Sequence, residues 1–400
     1  MKKKKLAIYA IHPIMYQVPI FKEFEKILLE SKLGIEFNVL FGDDLSLKNT
    51  YNKEFKTSYS YGKWLINGYK YKFLKNYTHD SKSGFLSRIN PGIFNELKKE
   101  KYDVILIHGY ESLTSWFTII AAKLTNTKII WRGEAVLRGI EDNSSFKQTI
   151  KRFILKRFFN SCDALLYSCT GNKEYIKFYN VDDKKMFPIP CAVNNDFFQN
   201  EREKYIDSIS NIKKELGIDL DDMIILFSAR FTKRKRPLDL LEALTQIDNS
   251  NITILFVGDG LERNNMEAFV KEHNLKAVFT GFQNQTQLPK YYTISDIDVV
   301  ISDYDPSPKA MNEAMNFRLP IIVSDAPGTA YDLVKNGENG FVVKVGDIDT
   351  IAKKIDYLNK NREEMKIMGK KSFEIVQNWN YTEDVKGILK AIEYVTEKKD

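Results

Sequence analysis

Short apolar runs rich in Val, Ile, Leu and Phe recur along the first 200 residues and alternate with amphipathic stretches. These runs occupy residues 8–10, 37–40, 104–107, 129–131 and 164–168. Between the first two runs, Phe21, Phe24, Ile27 and Leu28 repeat at helical spacing. Buried runs that alternate with helices are typical of a parallel sheet covered by helices on both faces.

The same alternation pauses at residues 188–196, which hold two prolines and two asparagines, and then restarts. Six further apolar runs follow, at residues 224–228, 253–257, 278–280, 299–302, 321–324 and 341–343. Two similar halves joined by one linker predict an α/β fold of two Rossmann-like domains that face each other across a cleft. We place the first domain at residues 1–195 and the second at 196–380.

An acidic segment between the runs at 299–302 and 321–324 carries the most specific chemistry. Asp305 and Glu313 are eight residues apart. Ser307 is a good N-cap and Pro308 a good first helical residue, so we expect a helix to begin there. Its N-terminus would suit a phosphate. Glu313 could accept both hydroxyls of a vicinal diol such as a ribose, and Asp305 those of a second sugar; alternatively both are ordinary surface acids.

Arg230 and Lys235 lie just beyond the run at 224–228 and before a helix that begins at Pro237. Two fixed cations at that place could neutralise the charge that builds on a departing diphosphate, without a metal ion. The basic stretch 233–236 could equally be a solvated loop.

Gly258 and Gly260 form a tight turn after the next run, where glycine permits a close approach of ligand or backbone. The segment lacks the spacing of a dinucleotide-binding loop because position 263 is Arg.

With these segments in this order, the chain resembles the large family of retaining glycosyltransferases that carries a Glu-x7-Glu signature on a GT-B fold, also described as glycosyl transferases group 1. The resemblance is dense over about 225–345 and looser before residue 200. The matching pieces are residues 228–237, 257–263, 279–296, 305–315, 327–328 and 336–341.

The resemblance implies a donor that is a UDP- or GDP-linked sugar and a reaction that needs neither a metal ion nor another cofactor. Arg230 and Lys235 would hold the diphosphate, Asp305 the donor sugar and Glu313 the ribose. The remaining implied donor contacts are Gly258, Gly260, Ser307 and Lys309. The family also implies that a last helix, at about 381–400, returns to the first domain.

Two departures from the family pattern concern the donor sugar. Asp305 stands where the family has a longer Glu, and Pro308 stands where a Gly is usual. Proline removes one backbone donor. Lys309 could supply a replacement positive charge.

In the first half, His108 ends the run at 104–107 and would lie at the mouth of the sheet. The resemblance places a His there beside the donor sugar, so we assign it to catalysis; a strand-end His without a role is the alternative. Arg132 and Glu134 follow the next run, and Tyr16 and Gln17 follow the first. We assign these four to the acceptor, although the loop with Tyr16 could serve packing alone.

Charge is distributed unevenly. Residues 1–200 hold 32 Lys and Arg against 20 Asp and Glu, whereas residues 201–400 hold 28 against 33. This asymmetry indicates an anionic partner for the first half, or a Lys-rich composition throughout. Residues 145–159 predict a basic amphipathic helix that could bind the inner membrane surface, or that could pack on the sheet as an ordinary surface helix.

Three cysteines without metal-ligand spacing, and a short apolar run at the N-terminus, predict a cytoplasmic protein. No run reaches the length of a membrane span. A peripheral place at the cytoplasmic membrane face is compatible with both features.

We therefore expect a retaining glycosyltransferase that moves a sugar from a nucleoside diphosphate to a glycan or lipid-linked acceptor. Bacterial surface polysaccharide or glycolipid synthesis is the expected setting, without a nucleic-acid partner. The alternatives are an enzyme of the same fold that transfers no sugar, such as a nucleotide-sugar epimerase, and a basic protein that binds polyanions or membrane surfaces.

Overall fold

The computed structural model describes residues 3–31, 33–48, 50–52, 57–59, 62–78, 84–138 and 146–397. The chain forms two compact units. The first unit takes in the chain up to Cys191 together with the segment from Tyr381 onwards, and the second unit is Ala192–Asn380. Among the described residues, no helix is both long enough and apolar enough to cross a membrane.

The first unit is built on a parallel sheet. Its strands are β1 (Lys4–Ala10), β2 (Ile35–Phe41), the short pair β3 (Thr50–Asn52) and β4 (Thr57–Tyr59), β5 (Tyr71–Phe73), β6 (Val104–His108), β7 (Lys128–Gly133), β8 (Ala164–Tyr167) and β9 (Met186–Pro188). Seven of them form the sheet in the order β5-β2-β1-β6-β7-β8-β9, while β3 and β4 pair with each other in antiparallel fashion. In the centre, Leu6 lies opposite both Phe37 and Val104.

Helices cover both faces of this sheet, which explains why its central strands are apolar along their whole length. The helices of the first unit are α1 (Val18–Ser31), α2 (Gly92–Glu100), α3 (Leu113–Leu124), α4 (Phe146–Asn160) and α5 (Thr170–Phe178), followed at the end of the chain by a last helix, Tyr381–Glu397. One core cluster joins the sheet to α1 and that last helix. A second cluster joins it to α2, α3, α4 and α5.

The second unit repeats this plan. Its helices and strands in chain order are α6 (Asn195–Tyr205), α7 (Ile209–Glu215), β10 (Met223–Ser228), α8 (Pro237–Leu244), β11 (Ile252–Val257), α9 (Arg263–Glu272), β12 (Ala277–Phe279), α10 (Leu288–Ile294), β13 (Ile297–Val300), α11 (Lys309–Asn316), β14 (Ile321–Ser324), α12 (Ala330–Leu333), β15 (Gly340–Val343), α13 (Ile348–Lys360) and α14 (Arg362–Val376). The last helix of the chain, in the first unit, is then α15. Six parallel strands run in the order β12-β11-β10-β13-β14-β15.

Both sheets reverse the direction of their strand order at one point. In the first sheet, β1 lies between β2 and β6; in the second, β10 lies between β11 and β13. At such a point the loops beyond two neighbouring strands diverge and leave a crevice at the strands' carboxyl ends, where open α/β sheets bind their ligands. The loops of interest therefore follow β1 and β6 in the first unit, and β10 and β13 in the second.

The expected fold class, α/β with two Rossmann-like halves built on parallel sheets, is confirmed. Strands β5 and β9 were not predicted from the sequence. Each has three residues, which is too short for a periodic pattern, and each forms at an edge of a sheet whose neighbouring strand supplies the pairing.

Candidate functional site

The carboxyl ends of β10 and β13 bring together the strongest pair of predicted site residues. Lys235 lies on a short 3-10 turn after β10, and Asp305 lies in the loop after β13. Their ammonium and carboxylate form an ion pair, and each side chain is about 14% exposed. The partial burial weakens screening by water and strengthens the attraction. The two residues are 70 positions apart in the sequence and meet because β10 and β13 are neighbours in the sheet.

Backbone contacts fix both members of this pair. The Ser307 amide donates to the Asp305 carboxylate at 3.2 Å, and the Gly328 amide donates to the Asp305 carbonyl at 2.9 Å. On the other side, the Asp303 amide donates to the Arg234 carbonyl at 2.9 Å. The two loops are therefore tied to each other by main chain as well as by charge.

The basic stretch 233–236 does not behave as one solvated loop. Arg234 donates to the Tyr304 carbonyl at 2.9 Å, and Arg236 pairs with Asp239 at 2.6 Å. Lys233 is exposed. Of the four cations, Lys235 is the one directed at Asp305. Arg230, the other predicted phosphate ligand, lies exposed directly beyond β10.

The two predicted glycines pack beneath this loop. A Cβ atom at Gly258 would lie 1.9 Å from the Ala229 carbonyl oxygen, and one at Gly260 would lie 2.3 Å from the Phe231 carbonyl oxygen. Gly258 also has a φ of +140°, which few other residues adopt. The turn after β11 can therefore approach the Arg230 loop only with glycine at these positions, and their predicted contact with the donor stays a prediction.

The predicted helix start was wrong by one residue. Helix α11 begins at Lys309, and Pro308 rather than Ser307 occupies the N-cap position without a side-chain cap. The reason is that Asp305 already binds the Ser307 amide, which holds the chain in a turn there. Ser307 is buried, and the Lys309 ammonium lies 3.5 Å from its hydroxyl.

Glu313 lies on the buried face of α11 and is 2% exposed. The Tyr292 hydroxyl, from α10, donates to its Oε2 atom at 2.8 Å. Asp298, on β13, is fully buried near the same carboxylate; burial and the negative charge of Glu313 raise its pKa well above the ordinary range. Burial and Glu313 likewise raise the pKa of Tyr292. The Tyr292 phenol therefore keeps its proton and can donate it to the Glu313 carboxylate.

In the first unit, His108 ends β6 as expected and pairs in register with Arg132 on β7. It is 8% exposed, and its ring makes a T-shaped contact with Phe21, with the centroids 6.1 Å apart. Burial, and then the Arg132 charge, hold the pKa of His108 well below its usual value. The imidazole is therefore neutral near pH 7 and can both accept and donate a hydrogen bond.

Arg132 is 4% exposed and lies among acidic groups rather than at an open surface. Burial works against its charge, but Asp384, Cys191 and Glu134 together raise its pKa. The Glu134 carboxylate is 3.9 Å away, and the Cys191 thiol donates to that carboxylate at 2.9 Å. Arg132 thus joins β7 to α15 electrostatically, while the acceptor role that we expected for it and for Glu134 remains untested.

The loop after β1 places Tyr16 and Gln17 directly before α1. Both side chains are half-buried, and the side-chain carbonyl oxygen of Gln17 is buried without a hydrogen-bond partner among the described residues. An unsatisfied acceptor of this kind is costly unless a ligand or water pairs with it.

Sequence analysis missed a charged cluster at the same edge of the first sheet. Asp43, just beyond β2, forms a buried ion pair with Arg88, and both side chains are less than 10% exposed. Burial raises the pKa of Asp43 and lowers that of nearby His12. The available signal was the polar Gly42-Asp43-Asp44 at the end of an apolar run; Arg88 had no sequence signal because it reaches Asp43 only in the folded chain.

No group of three or more His, Cys, Asp and Glu side chains in the described part of the chain could hold a metal ion. The predicted residues fall into distinct contacts. Lys235 and Asp305 touch directly, His108 and Arg132 are strand neighbours, and Glu313 contacts Tyr292, which was not predicted.

Comparison with known proteins shows what this chain is similar to. The sequence profile described as "Glycosyl transferases group 1" matches residues 208–374. The chain is 29% identical over 273 residues to the UDP-Gal:alpha-D-GlcNAc-diphosphoundecaprenol alpha-1,3-galactosyltransferase of Escherichia coli, which covers 64% of this chain and 66% of that protein.

A second relative is the GalNAc-alpha-(1->4)-GalNAc-alpha-(1->3)-diNAcBac-PP-undecaprenol alpha-1,4-N-acetyl-D-galactosaminyltransferase of Campylobacter jejuni. It is 25% identical over 263 residues, which cover 65% of this chain and 66% of the relative. Several other curated relatives are matched over about half of their length.

Solved structures share the whole fold. A glycosyltransferase from Rickettsia africae has a TM-score of 0.74 with both chains fully covered, and Anabaena Alr3699/HepE in complex with UDP has a TM-score of 0.72 with 98% of this chain and 99% of that chain covered. Both are 16% identical, so the likeness concerns the fold. The matched profile lies within Ala192–Asn380, and the second unit of this chain is therefore similar to the glycosyl transferases group 1 family, as its motifs indicated.

Proposed function

We propose that this protein is a retaining glycosyltransferase that takes a sugar from a nucleoside diphosphate. The observation that carries the proposal is the Lys235–Asp305 pair, which joins the β10 and β13 loops within the segment that matches the family profile. A lysine has three N–H donors, so Lys235 can keep one on Asp305 and offer the others to a phosphate. Arg230 is exposed and lies five positions before Lys235 in the sequence; its guanidinium would add a planar set of donors.

In the proposed reaction, an acceptor hydroxyl forms a bond to the anomeric carbon as the bond from that carbon to the diphosphate breaks. Negative charge then builds on the departing β-phosphate oxygen. Arg230 and Lys235 stabilise that charge in place of a metal ion, and the hydroxyl proton passes to the phosphate. Glu313 would bind the ribose and Asp305 the donor sugar.

We propose a lipid-linked glycan as the acceptor, because both relatives described above are named for acceptors on a diphosphoundecaprenol or PP-undecaprenol carrier. The first unit would bind it, and His108 would act in catalysis. As a neutral imidazole, His108 could hydrogen-bond to a sugar hydroxyl without bringing a second positive charge.

The donor site can be tested by thermal unfolding with UDP, GDP and their sugars, with and without EDTA. A ligand that binds the folded state raises the melting temperature. We expect one nucleotide to do so regardless of EDTA, and the shift to be lost in Lys235→Ala. Lys233→Ala is the matched control, since it removes an exposed cation from the same loop, whereas the ion pair with Asp305 is made by Lys235. No shift by any nucleotide, or a shift that Lys235→Ala retains, would contradict the proposal.

We further propose that α4 binds an anionic bilayer at the cytoplasmic face of the membrane. Four large apolar side chains of α4 lie on the surface: Phe146, Ile150, Phe153 and Ile154 are 42–80% exposed. Lys151, Arg152, Lys156 and Arg157 are exposed on the same helix. Apolar anchors ringed by cations fit the boundary between acyl chains and anionic headgroups.

The predicted membrane segment was 145–159. Ser145 lies outside the described residues, and Phe158 is buried against Trp116, with the ring centroids 4.7 Å apart. Phe158 therefore belongs to the core, and the membrane contact would rest on the four exposed residues of α4 alone.

Vesicle co-sedimentation would test this contact. We expect binding to vesicles that contain phosphatidylglycerol, weaker binding as salt rises, and at least tenfold weaker binding for Phe146→Ser with Phe153→Ser, on the order of 1–2 kcal/mol per lost anchor. Ile367→Ser, which changes a side chain 63% exposed on α14 of the second unit, is the control. Equal binding by all three proteins would rule α4 out.

A further inference from the structure

We infer that Tyr292 is a positioning residue for Glu313, and that it makes the donor site selective for ribonucleotides over 2′-deoxyribonucleotides. The inference rests on the proposed function, in which Glu313 binds the ribose. Tyr292 contacts Glu313 rather than the substrate. The feature of the nucleotide that this contact would help to recognise is the 2′-hydroxyl of the ribose.

The contact between Tyr292 and Glu313 is a hydrogen bond of ordinary length, and packing holds the donor in place. The Tyr292 hydroxyl donates to Glu313 Oε2 at 2.8 Å and lies 3.5 Å from the Ser228 hydroxyl at the end of β10. The Tyr292 ring stacks on Phe317, with the centroids 5.2 Å apart and the planes 21° apart. Tyr292 is 1% exposed, so both its ring and its hydroxyl are held in one place.

Holding the carboxylate is costly without such a donor. Glu313 is 2% exposed and on a helix face that otherwise packs into the core. A hydrogen bond to an ionised group in a buried site is stronger than one between neutral groups. The phenol therefore does two things at once: it stabilises the charge and it fixes the rotation of the carboxylate about its last bond.

A third group keeps the charge in one place. Asp298 is fully buried on β13, and within the described part of the chain neither of its carboxyl oxygens makes a hydrogen bond of good geometry. Two neighbouring buried carboxylates cannot both be charged at low cost, so one holds a proton. Since Tyr292 donates to Glu313, the negative charge is stabilised on Glu313, where a sugar can use it.

A fixed carboxylate can read a vicinal diol because it accepts a hydrogen bond from each hydroxyl. Removing the 2′-hydroxyl removes one of these bonds, and a carboxylate that cannot turn cannot recover it elsewhere. Without the Tyr292 hydroxyl, Glu313 can rotate and pair with the 3′-hydroxyl or with water alone. The preference for a ribose should then fall, even where the nucleotide still binds through its diphosphate.

Titration calorimetry of UDP, GDP and their 2′-deoxy counterparts with the full chain tests the inference. For the nucleotide that binds, we expect the wild type to prefer the ribose form by about 10-fold or more, as for one lost hydrogen bond to a charged group. In Tyr292→Phe, which deletes one oxygen atom, the preference should fall below about threefold. Tyr291→Phe, also buried, changes a neighbouring phenol on the same helix and should keep the wild-type preference.

Glu313→Asp withdraws the carboxylate by one methylene from both Tyr292 and the ribose. It should lose the ribose preference, and a retained preference would overturn the inference even if Tyr292→Phe folds poorly. Added to Glu313→Asp, Tyr292→Phe should change the preference little further, because its effect acts through the Glu313 carboxylate.

The outcomes separate the two levels of the argument. A wild type that binds no nucleotide overturns the proposed function and this inference with it. A wild type that binds a nucleotide but discriminates poorly between the two sugars overturns this inference alone. So does a Tyr292→Phe protein that weakens both forms equally, because that result assigns the phenol to packing.

Discussion

The two sheets reverse their strand order in the same way, yet the loops at the two reversal points differ in charge. Beyond β10 and β13, Lys235 and Asp305 stand as a pair of opposite charges, about 14% exposed. At the end of β6 in the first unit, His108 is buried and neutral, and its neighbour Arg132 is surrounded by Asp384, Cys191 and Glu134. One topology thus provides one position suited to an anion and another suited to neutral hydroxyls.

Topology therefore determines where a ligand can bind, whereas burial determines which side chains at that place stay charged. Lys235, at the rim of the second sheet, forms an ion pair with Asp305 and remains partly in contact with water. A histidine inside the first sheet loses its charge because burial and Arg132 both oppose it. The following predictions test whether this separation of charge is functional, beginning with the largest expected effect.

The rim charges of the second unit should matter most for the rate. Lys235→Ala should lower kcat/KM for sugar transfer by about 100- to 1,000-fold, because one fixed donor to the departing phosphate is lost. The rate can be measured as the release of nucleoside diphosphate during sugar transfer to a membrane-extracted acceptor. Lys233→Ala should stay within about twofold of the wild type; an equal loss there would assign the effect to net charge.

The enclosed cation of the first unit should matter for stability instead. Arg132→Met leaves Glu134 and the buried Asp384 without their cation, which should lower the free energy of unfolding of the first unit by about 3 kcal/mol. Calorimetric unfolding measures this change as a lower transition temperature. Lys235→Met is the counterpart in the second unit and should cost about 1 kcal/mol or less, since its pair is closer to water. A larger loss of stability in Lys235→Met than in Arg132→Met would contradict this difference between the two units.

His108 should affect catalysis without affecting nucleotide binding. His108→Asn should reduce kcat by about 10- to 100-fold while the Kd for the nucleoside diphosphate stays unchanged. In the wild type, the lowered pKa means that the imidazole is neutral from pH 7 to pH 8, so its contribution to the rate should be flat over that range and fall only in acid. A rise in activity toward pH 6 would show instead that the charged form acts.

The smallest effect concerns the pH dependence of stability near Glu313. The folded-state pKa of Asp298 is raised, so folding takes up a proton there as pH rises above the unfolded value, and wild-type stability falls. Asp298→Asn takes up no proton. It should melt about 2–4 °C above the wild type at pH 8, and the difference should shrink as the pH falls toward 4.

Asp298→Leu provides the control for volume, because it has a similar size and also lacks a charge. A pH-independent difference between Asp298→Asn and the wild type would mean that Asp298 is ionised in the folded protein. The other buried acid nearby, Asp296, is common to all three proteins and cancels in the comparison.

Much of the second unit was predictable because its signals are local. Apolar runs marked β10, β11, β13, β14 and β15, and the spacing of Asp305 from Glu313 placed both on one loop and helix. The start of α11 was missed by one residue because the decisive contact is the Asp305 carboxylate on the Ser307 amide. That contact depends on how the loop closes, which N-cap preferences do not describe.

The contacts that define the site were less predictable. The family resemblance selected Arg230 and Lys235 from this basic region, but only the fold shows that Lys235 pairs with Asp305. Arg234 instead donates to the Tyr304 carbonyl, and Arg236 pairs with Asp239. Tyr292 lay within the matching segment 279–296, and nothing in the sequence singled it out. Asp43 and Arg88 are 45 positions apart in the sequence, and no sequence pattern indicated that they would meet.

The sequence by itself determined the two Rossmann-like halves, the linker region and the residue types at the mouths of the strands. It could do so because apolar periodicity and short-range turn chemistry act between neighbours in the chain. The tertiary structure decided which cation meets Asp305, which phenol holds Glu313 and which ionisable groups keep their charge. Those outcomes depend on burial and on distances between residues far apart in the chain, and both exist only after the strands have assembled.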